Sequence, residues 1–440
     1  MTSRRTLARW THLLKVPNTI DCPSMAILDN RGERVFTGTG QFHVRSGMQI
    51  DFSMHAVPTD GDDAFRRIVQ AQKHPSDIHH QFKVQGTQYD GTTWDAGYTE
   101  LRVGDILGDT WHLGGTVGSL VAGVSGPFTA STSSVEVIYD SKLRLPLPMN
   151  MTTSILRGDR EVLRKMEPGG KSIDVIGTQI DFFIDPELDA TWAVAPTSED
   201  FPHPHAENWV SEPLCILLGQ LVFPRLVARN VNEGATIWLR RSQPVRMDNI
   251  AASILRQDPL EDPARFWDTY QKILTMISRA RDEHGHRNFE AHRLTHYYHE
   301  IIQASRGSNW AWCLTLASSI EGVVKLLTAE SELDAGYPPD AVASLKRHIK
   351  SWGGDEDLRS RILGSLKFVE SKGIAQILQQ LVASGAIEKA HIDTWKSVRN
   401  QVMHGELVAP WAEEETQEQM QVLADLMHRL SMMYIEKCAA

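Results

Sequence analysis

Cysteine is scarce and scattered. The four cysteines, Cys22, Cys215, Cys313 and Cys438, form no Cys-x-x-Cys pair, which argues against a disulfide framework and a thiolate zinc site. Buried structural thiols in a reducing compartment are the expectation. Long apolar runs are also missing. The first sixteen residues carry Arg4, Arg5, Arg9 and Lys15 around Leu7, Trp10, Leu13 and Leu14, with no core of the length a signal peptide needs. The sequence offers no stretch of roughly 20 apolar residues of the kind that spans a bilayer. A cytoplasmic chain without a membrane segment is expected. Positive charge is not in excess: the formal net charge is −10. A protein that coats nucleic acid broadly is usually basic, so any nucleic-acid contact should be confined to a cleft.

What is present is ordinary globular material, 41% hydrophobic and 23% charged over 440 residues. That is enough for roughly two or three domains. An α+β multidomain chain is expected: a β-rich, sandwich- or barrel-like N-terminal domain over 1–257, a connecting helix over 258–287, and a helical bundle over 288–440.

Short strands read from the first half. Glu33–Thr37, Gly47–Met54, Phe82–Gln85, Val135–Tyr139, Asp174–Ile184, Leu214–Leu221 and Ala235–Leu239 alternate or are rich in Val, Ile and Phe. Turn signals stand between them at Asp90-Gly91, Gly114-Gly115 and Pro168-Gly169-Gly170. The period changes near Pro259–Pro263. Phe266, Tyr270, Ile273, Leu274 and Ile277 recur at helical spacing, and helices are expected at about 288–305, 309–330, 338–350, 357–370, 373–383, 386–404 and 413–437. Gly307, Gly336-Tyr337-Pro338-Pro339, Gly353-Gly354, Gly385 and Gly405 punctuate them.

The helix ending at Gly405 carries Arg399-Asn400-Gln401-Val402-Met403-His404. Asn400 and His404 are four apart and share a face, and the long Arg399 stem reaches the same cleft. A cation, an amide and an imidazole at one helix end suit RNA cleavage. His can take the ribose 2′-OH proton or protonate the leaving oxygen, and Arg can hold the phosphate and its developing charge. One His does not readily serve as both acid and base, which points to two copies facing across a two-fold axis.

This motif resembles the Arg-x4-His signature of the HEPN superfamily. Its place at the end of the penultimate helix is similar too, and so is the upstream Leu316–Leu327 run with Glu321 in it. The layout of a β-rich domain before such a bundle resembles the ApeA-like group of bacterial anti-phage proteins. The resemblance implies a metal-independent endoribonuclease, an abortive-infection effector working as a homodimer or higher oligomer on an RNA substrate under a phage-derived trigger. It implies catalytic roles for Arg399 and His404, with Asn400 in support, and no cofactor. Such domains also occur as inactive nucleotide-binding or dimerisation modules, and a sugar-binding or structural role led by the β domain is a third reading.

Other clusters have plainer readings. Glu321 can pair with Arg399 inside the bundle. Lys346, Arg347 and Lys350, with His348, form a basic cluster that could guide RNA, as could Lys396. Arg281–His286 and Arg287–His292 repeat the spacing, the first across Gly285. His292, His296 and His299 share one helical face without a His-Glu-x-x-His pattern, so packing is expected there rather than metal. His74, Asp77, His79 and His80, and the pair His203 and His205, read as loop clusters. Gly114–Ser119 lacks the lysine of a phosphate-binding loop.

Overall fold

A computed structural model describes residues 5–74, 77–125, 132–139, 143–148, 151–157, 160–167, 169–232, 234–242, 252–287, 292–329, 338–366, 372–403 and 414–439. The chain divides into two compact units. The first holds 1–212 and 222–246; the second holds 213–221 and 247–440.

The first unit is antiparallel β. Its strands are β1 (Asn18–Leu28), β2 (Arg34–Ser46), β3 (Gln49–Pro58), β4 (Phe82–Thr87), β5 (Thr93–Leu107), β6 (Thr110–Val117), β7 (Ser119–Ser125), β8 (Ser134–Tyr139), β9 (Met151–Arg157), β10 (Arg160–Glu167), β11 (Gly170–Val175), β12 (Thr178–Asp185), β13 (Ala190–Pro196), β14 (Leu226–Val231) and β15 (Gly234–Arg240). Thirteen pair in the order β11-β12-β13-β8-β14-β15-β7-β5-β4-β1-β2-β3-β6, and β5 also pairs with β6. That extra pairing closes β4, β1, β2, β3, β6 and β5 into a ring, so this end of the sheet is a barrel with no open edge. β9 and β10 form a separate hairpin.

Period-two alternation fills the barrel. Ile50, Phe52, Met54 and Ala56 of β3 and Trp111, Leu113 and Val117 of β6 are buried, with exposed or half-buried residues between them. Gly115 is required where the ring closes. A Cβ there would stand 2.4 Å from the Glu100 carbonyl oxygen and 2.9 Å from the Phe52 ring. The Asp90-Gly91 signal makes the β4–β5 turn, with Gly91 at φ +86°. Asp174–Ile184, read as one run, is two strands parted at Ile176-Gly177, both at positive φ.

Two features depart from the sequence reading. Leu214–Leu221 is not a strand; it falls largely in helix α2 (Ala206–Leu218). That helix is buried on nearly every side, so its apolar run has no polar stripe to mark the period. Helix α1 (Gly61–Lys73) was not expected. Asp60 caps it, accepting from the Asp62 and Asp63 N–H groups.

The second unit is helical: α3 (Pro263–Arg279), α4 (Arg293–Ala304), α5 (Asn309–Thr328), α6 (Pro339–Ser351), α7 (Glu356–Ser365), α8 (Ile374–Ala383), α9 (Lys389–Met403) and α10 (Glu414–Ala439). α5 packs against α4, α9 and α10, and α10 also against α3. α5 is, among the described residues, the one helix long and apolar enough to cross a membrane by length and composition, and 61% of that stretch is buried. The sequence reading missed it because Glu321 and Lys325 interrupt the run. Residues 213–221 join this unit through hydrogen bonds from Ser253 Oγ to the Leu217 carbonyl (2.6 Å) and from the Ile254 N–H to the Ile216 carbonyl (3.1 Å).

Candidate functional site

Arg399 stands near the C-terminal end of α9, just before its last turn. Ile392, Trp395, Val398 and Val402 are buried, and they form the inward stripe of the helix. Arg399 lies beside that stripe, half-buried, and Asn400 lies further round and is exposed.

α5 receives α9 through two matched pairs. Trp395 Nε1–H donates to the Ala317 carbonyl at 3.4 Å, and Arg399 Nε–H donates to Glu321 Oε1 at 2.5 Å. Trp395 and Arg399 are four residues apart, as are Ala317 and Glu321, so one turn of each helix spans both contacts. The Arg399 guanidinium carbon also stands 5.7 Å from the Trp395 ring centroid, within cation–π range. The side chains of Arg399 and Glu321 are 38% and 26% exposed. Solvent therefore screens the pair, whose worth to stability is about 1 kcal/mol at most. Its consequence is geometric. Glu321 takes one of the five guanidinium N–H donors, and the forked end retains the others.

Beside Glu321, Gly322 gives room to Tyr297 of α4. A Cβ on Gly322 would come within 2.3 Å of the Tyr297 ring. Three helices thus meet around the Glu321–Arg399 pair.

His404 lies outside the described residues, as do residues 288–291 of the Arg287–His292 repeat. Lys396 is half-buried on α9, three and four positions before Arg399 and Asn400. Lys346 is half-buried, and Arg347 and Lys350 are exposed, on α6, which packs on α7. The structure brings Arg399, Glu321 and Trp395 together; it does not show the α6 basic cluster joined to them.

The histidine face of α4 is divided. His292 caps the helix, its Nδ1 accepting the Leu294 N–H at 3.1 Å. Burial, aided by Arg293 and His296, pushes its pKa down to about 4. His296 is exposed and His299 half-buried. Among the described residues no group of three or more His, Cys, Asp or Glu side chains is placed to hold a metal.

Two polar features of this unit were not foreseen. Trp395 carries no role in the sequence reading, although its i, i+4 spacing to Arg399 signals contact. The second is a hub on Asp425. The Glu388 N–H donates to His391 Nδ1 (2.9 Å), so His391 Nε2–H donates to Asp425 Oδ2 (2.9 Å). Arg256 and Arg429 meet the same carboxylate at 2.6 and 2.8 Å. Burial would raise the Asp425 pKa, but His391 and the two arginines outweigh it and hold the group below the usual carboxylate range. Arg429 is an i, i+4 neighbour of Asp425, but His391 and Arg256 lie 34 and 169 residues from it, beyond the reach of local spacing.

No family model, curated protein or solved structure matches this chain.

Proposed function

We propose that this chain is a metal-independent endoribonuclease of HEPN type. In this reading Arg399 and His404 act on the scissile phosphate, Asn400 supports them, and Glu321 positions the guanidinium. The observation that carries the reading is the Arg399 environment. A guanidinium near the C-terminal end of α9, five residues before His404 in sequence, is fixed at Nε by Glu321, flanked by Trp395, and still partly open to solvent. Pre-ordering of this kind lets an arginine meet a phosphate without losing side-chain freedom at that moment.

The chemistry is transesterification. An imidazole takes the 2′-OH proton, the 2′-oxygen attacks phosphorus, and a second imidazole protonates the departing 5′-oxygen, leaving a 2′,3′-cyclic phosphate. The motif contributes one imidazole per chain, so the reading includes a homodimer with two motifs on one phosphate. The motif holds no carboxylate to bind a metal. Biologically, the reading is a cytoplasmic anti-phage effector in which the β unit receives the trigger.

A second reading is favoured by the same ion pair. A glutamate that engages arginine across two helices is also what an inactive nucleotide-binding or dimerisation module would use to tie its bundle. Expression in bacteria separates the two. The ribonuclease reading expects the wild type to arrest growth and both His404→Ala and Arg399→Ala to relieve the arrest at equal protein level. Equal growth of all three strains supports the module.

A further inference from the structure

The β unit contains a cleft of about 360 Å³ that no part of the proposed chemistry uses. It lies between the β1–β2 turn, α1 and the segment leading into β4, and is lined by Asn30, Arg31, Arg66, His79, His80 and Gln81 among others. We propose that this cleft binds the phosphoryl group of a small phosphorylated molecule.

The charge inventory supports an anion. Three arginines and two aspartates line the cleft: Arg31, Arg66 and Arg67 against Asp29 and Asp63. The aspartates are already committed. Asp29 Oδ1 accepts the Arg31 and Glu33 N–H groups at 2.9 and 2.8 Å, and Asp29 Oδ2 accepts from Arg67 Nη1. Asp63 accepts from Arg67 Nε at 2.5 Å, and Glu33 stands 3.5 Å from Arg67 Nη2. Arg67 is therefore engaged at all three of its nitrogens and serves as a brace joining the β1–β2 turn to α1. Burial disfavours the Asp29 charge, yet the backbone donors and Arg67 overcome this and hold the carboxylate ionised below its usual range.

Arg31 and Arg66 are set on that brace. Arg31 follows Asp29 by two residues and Arg66 precedes Arg67, so both rise from backbone that the carboxylates lock in place. Both are exposed. The far wall supplies neutral donors. Asn30 Nδ2 stands 3.3 Å from His79 Nδ1, which leaves His79 Nε2 to carry the imidazole proton in the neutral ring. Asp77 is a further carboxylate beside the two histidines. Its Oδ1 accepts the His79 N–H at 2.9 Å, and its Oδ2 stands 3.8 Å from His80 Nε2.

Two guanidiniums with amide and imidazole donors around a concave space form a phosphate-recognition set. The volume stands near the lower end of ligand clefts, which run from about 300 Å³ upward. It suits a phosphate with a small organic body rather than a polymer. A nucleotide and a sugar phosphate present the same group, and the test tells them apart.

The experiment is titration calorimetry on the full chain with inorganic phosphate, pyrophosphate, AMP and ribose 5-phosphate, at low and high salt. At least one should bind, more weakly at high salt. Preference for AMP over ribose 5-phosphate assigns a nucleotide, and parity assigns the phosphate and sugar. Arg31→Ala/Arg66→Ala should weaken binding at least tenfold, about 1.4 kcal/mol, with an unchanged thermal melt because both side chains are exposed. Arg102→Ala, an exposed arginine of β5 outside the cleft, should bind as the wild type does. Absence of binding by all four anions at about 10 mM overturns the proposal. So does equal binding by the double variant, or an equal loss in Arg102→Ala. The readout is binding alone, so the site can stand if the ribonuclease reading fails.

Discussion

His292 is the residue whose protonation the fold constrains most visibly. Its neutral Nδ1 accepts the Leu294 N–H, and burial ahead of Arg293 and His296 brings its pKa down to about 4. An unfolded histidine titrates near 6.5. The folded state therefore binds the proton less readily than the unfolded state. The contribution to stability is complete above about pH 6.5 and is lost as pH falls toward 4, amounting to about 3 kcal/mol as an upper figure. His292→Asn retains a capping acceptor and removes the titration. Urea unfolding between pH 7 and 4 should show a shallower loss for the variant than for the wild type; parallel curves would mean that the imidazole does not stay neutral. Arg399 was legible at this scale as a candidate through its spacing to Asn400 and His404, and Glu321 as its partner because it is a charged position in the otherwise apolar Leu316–Leu327 run. Trp395 was not, because an aromatic on an apolar stripe reads first as core.

Elements were legible where one face differs from the other. α3 to α10 announce themselves by period and glycine breaks, and β3 by strict alternation. α2 is apolar all round, so its last residues imitate a buried strand. The thirteen-strand order was beyond reading, because strands far apart in sequence pair, as β14 with β8 and β15 with β7 illustrate, and the N-terminal segment is tied down at similar range by the Thr6–Asn230 hydrogen bond. The N-terminal segment shows what such a contact does. Glu136 of β8, a strand buried along its whole length, accepts the Thr6 and Leu7 N–H groups at 2.9 Å each and the Asn230 amide at 3.1 Å. Burial raises its pKa despite those donors. Glu136→Ala leaves buried N–H groups without acceptors, at about 1–3 kcal/mol. Hydrogen exchange over residues 5–14 should rise well above that of the barrel strands, and unchanged protection would show that Leu7, Trp10 and Leu13 anchor the segment without the carboxylate.

At the scale of the whole molecule the chain is a closed-barrel β unit with a long antiparallel extension and a helical unit built around α5. The sequence pointed to this two-part architecture, because the hydrophobic period changes near Pro259–Pro263. Local period could not reveal that residues 213–221 belong to the helical unit. The decisive test of function accordingly uses the full chain. Purified protein, in excess over a labelled single-stranded RNA and in EDTA, should cut the RNA and leave 2′,3′-cyclic phosphate ends. His404→Ala should lose at least about 100-fold in rate, as removal of an acid–base group does. Arg399→Lys should lose at least about tenfold, because lysine keeps the charge but not the fork. Absence of cleavage by the wild type, cleavage that requires added metal, or full activity in both variants would contradict the account.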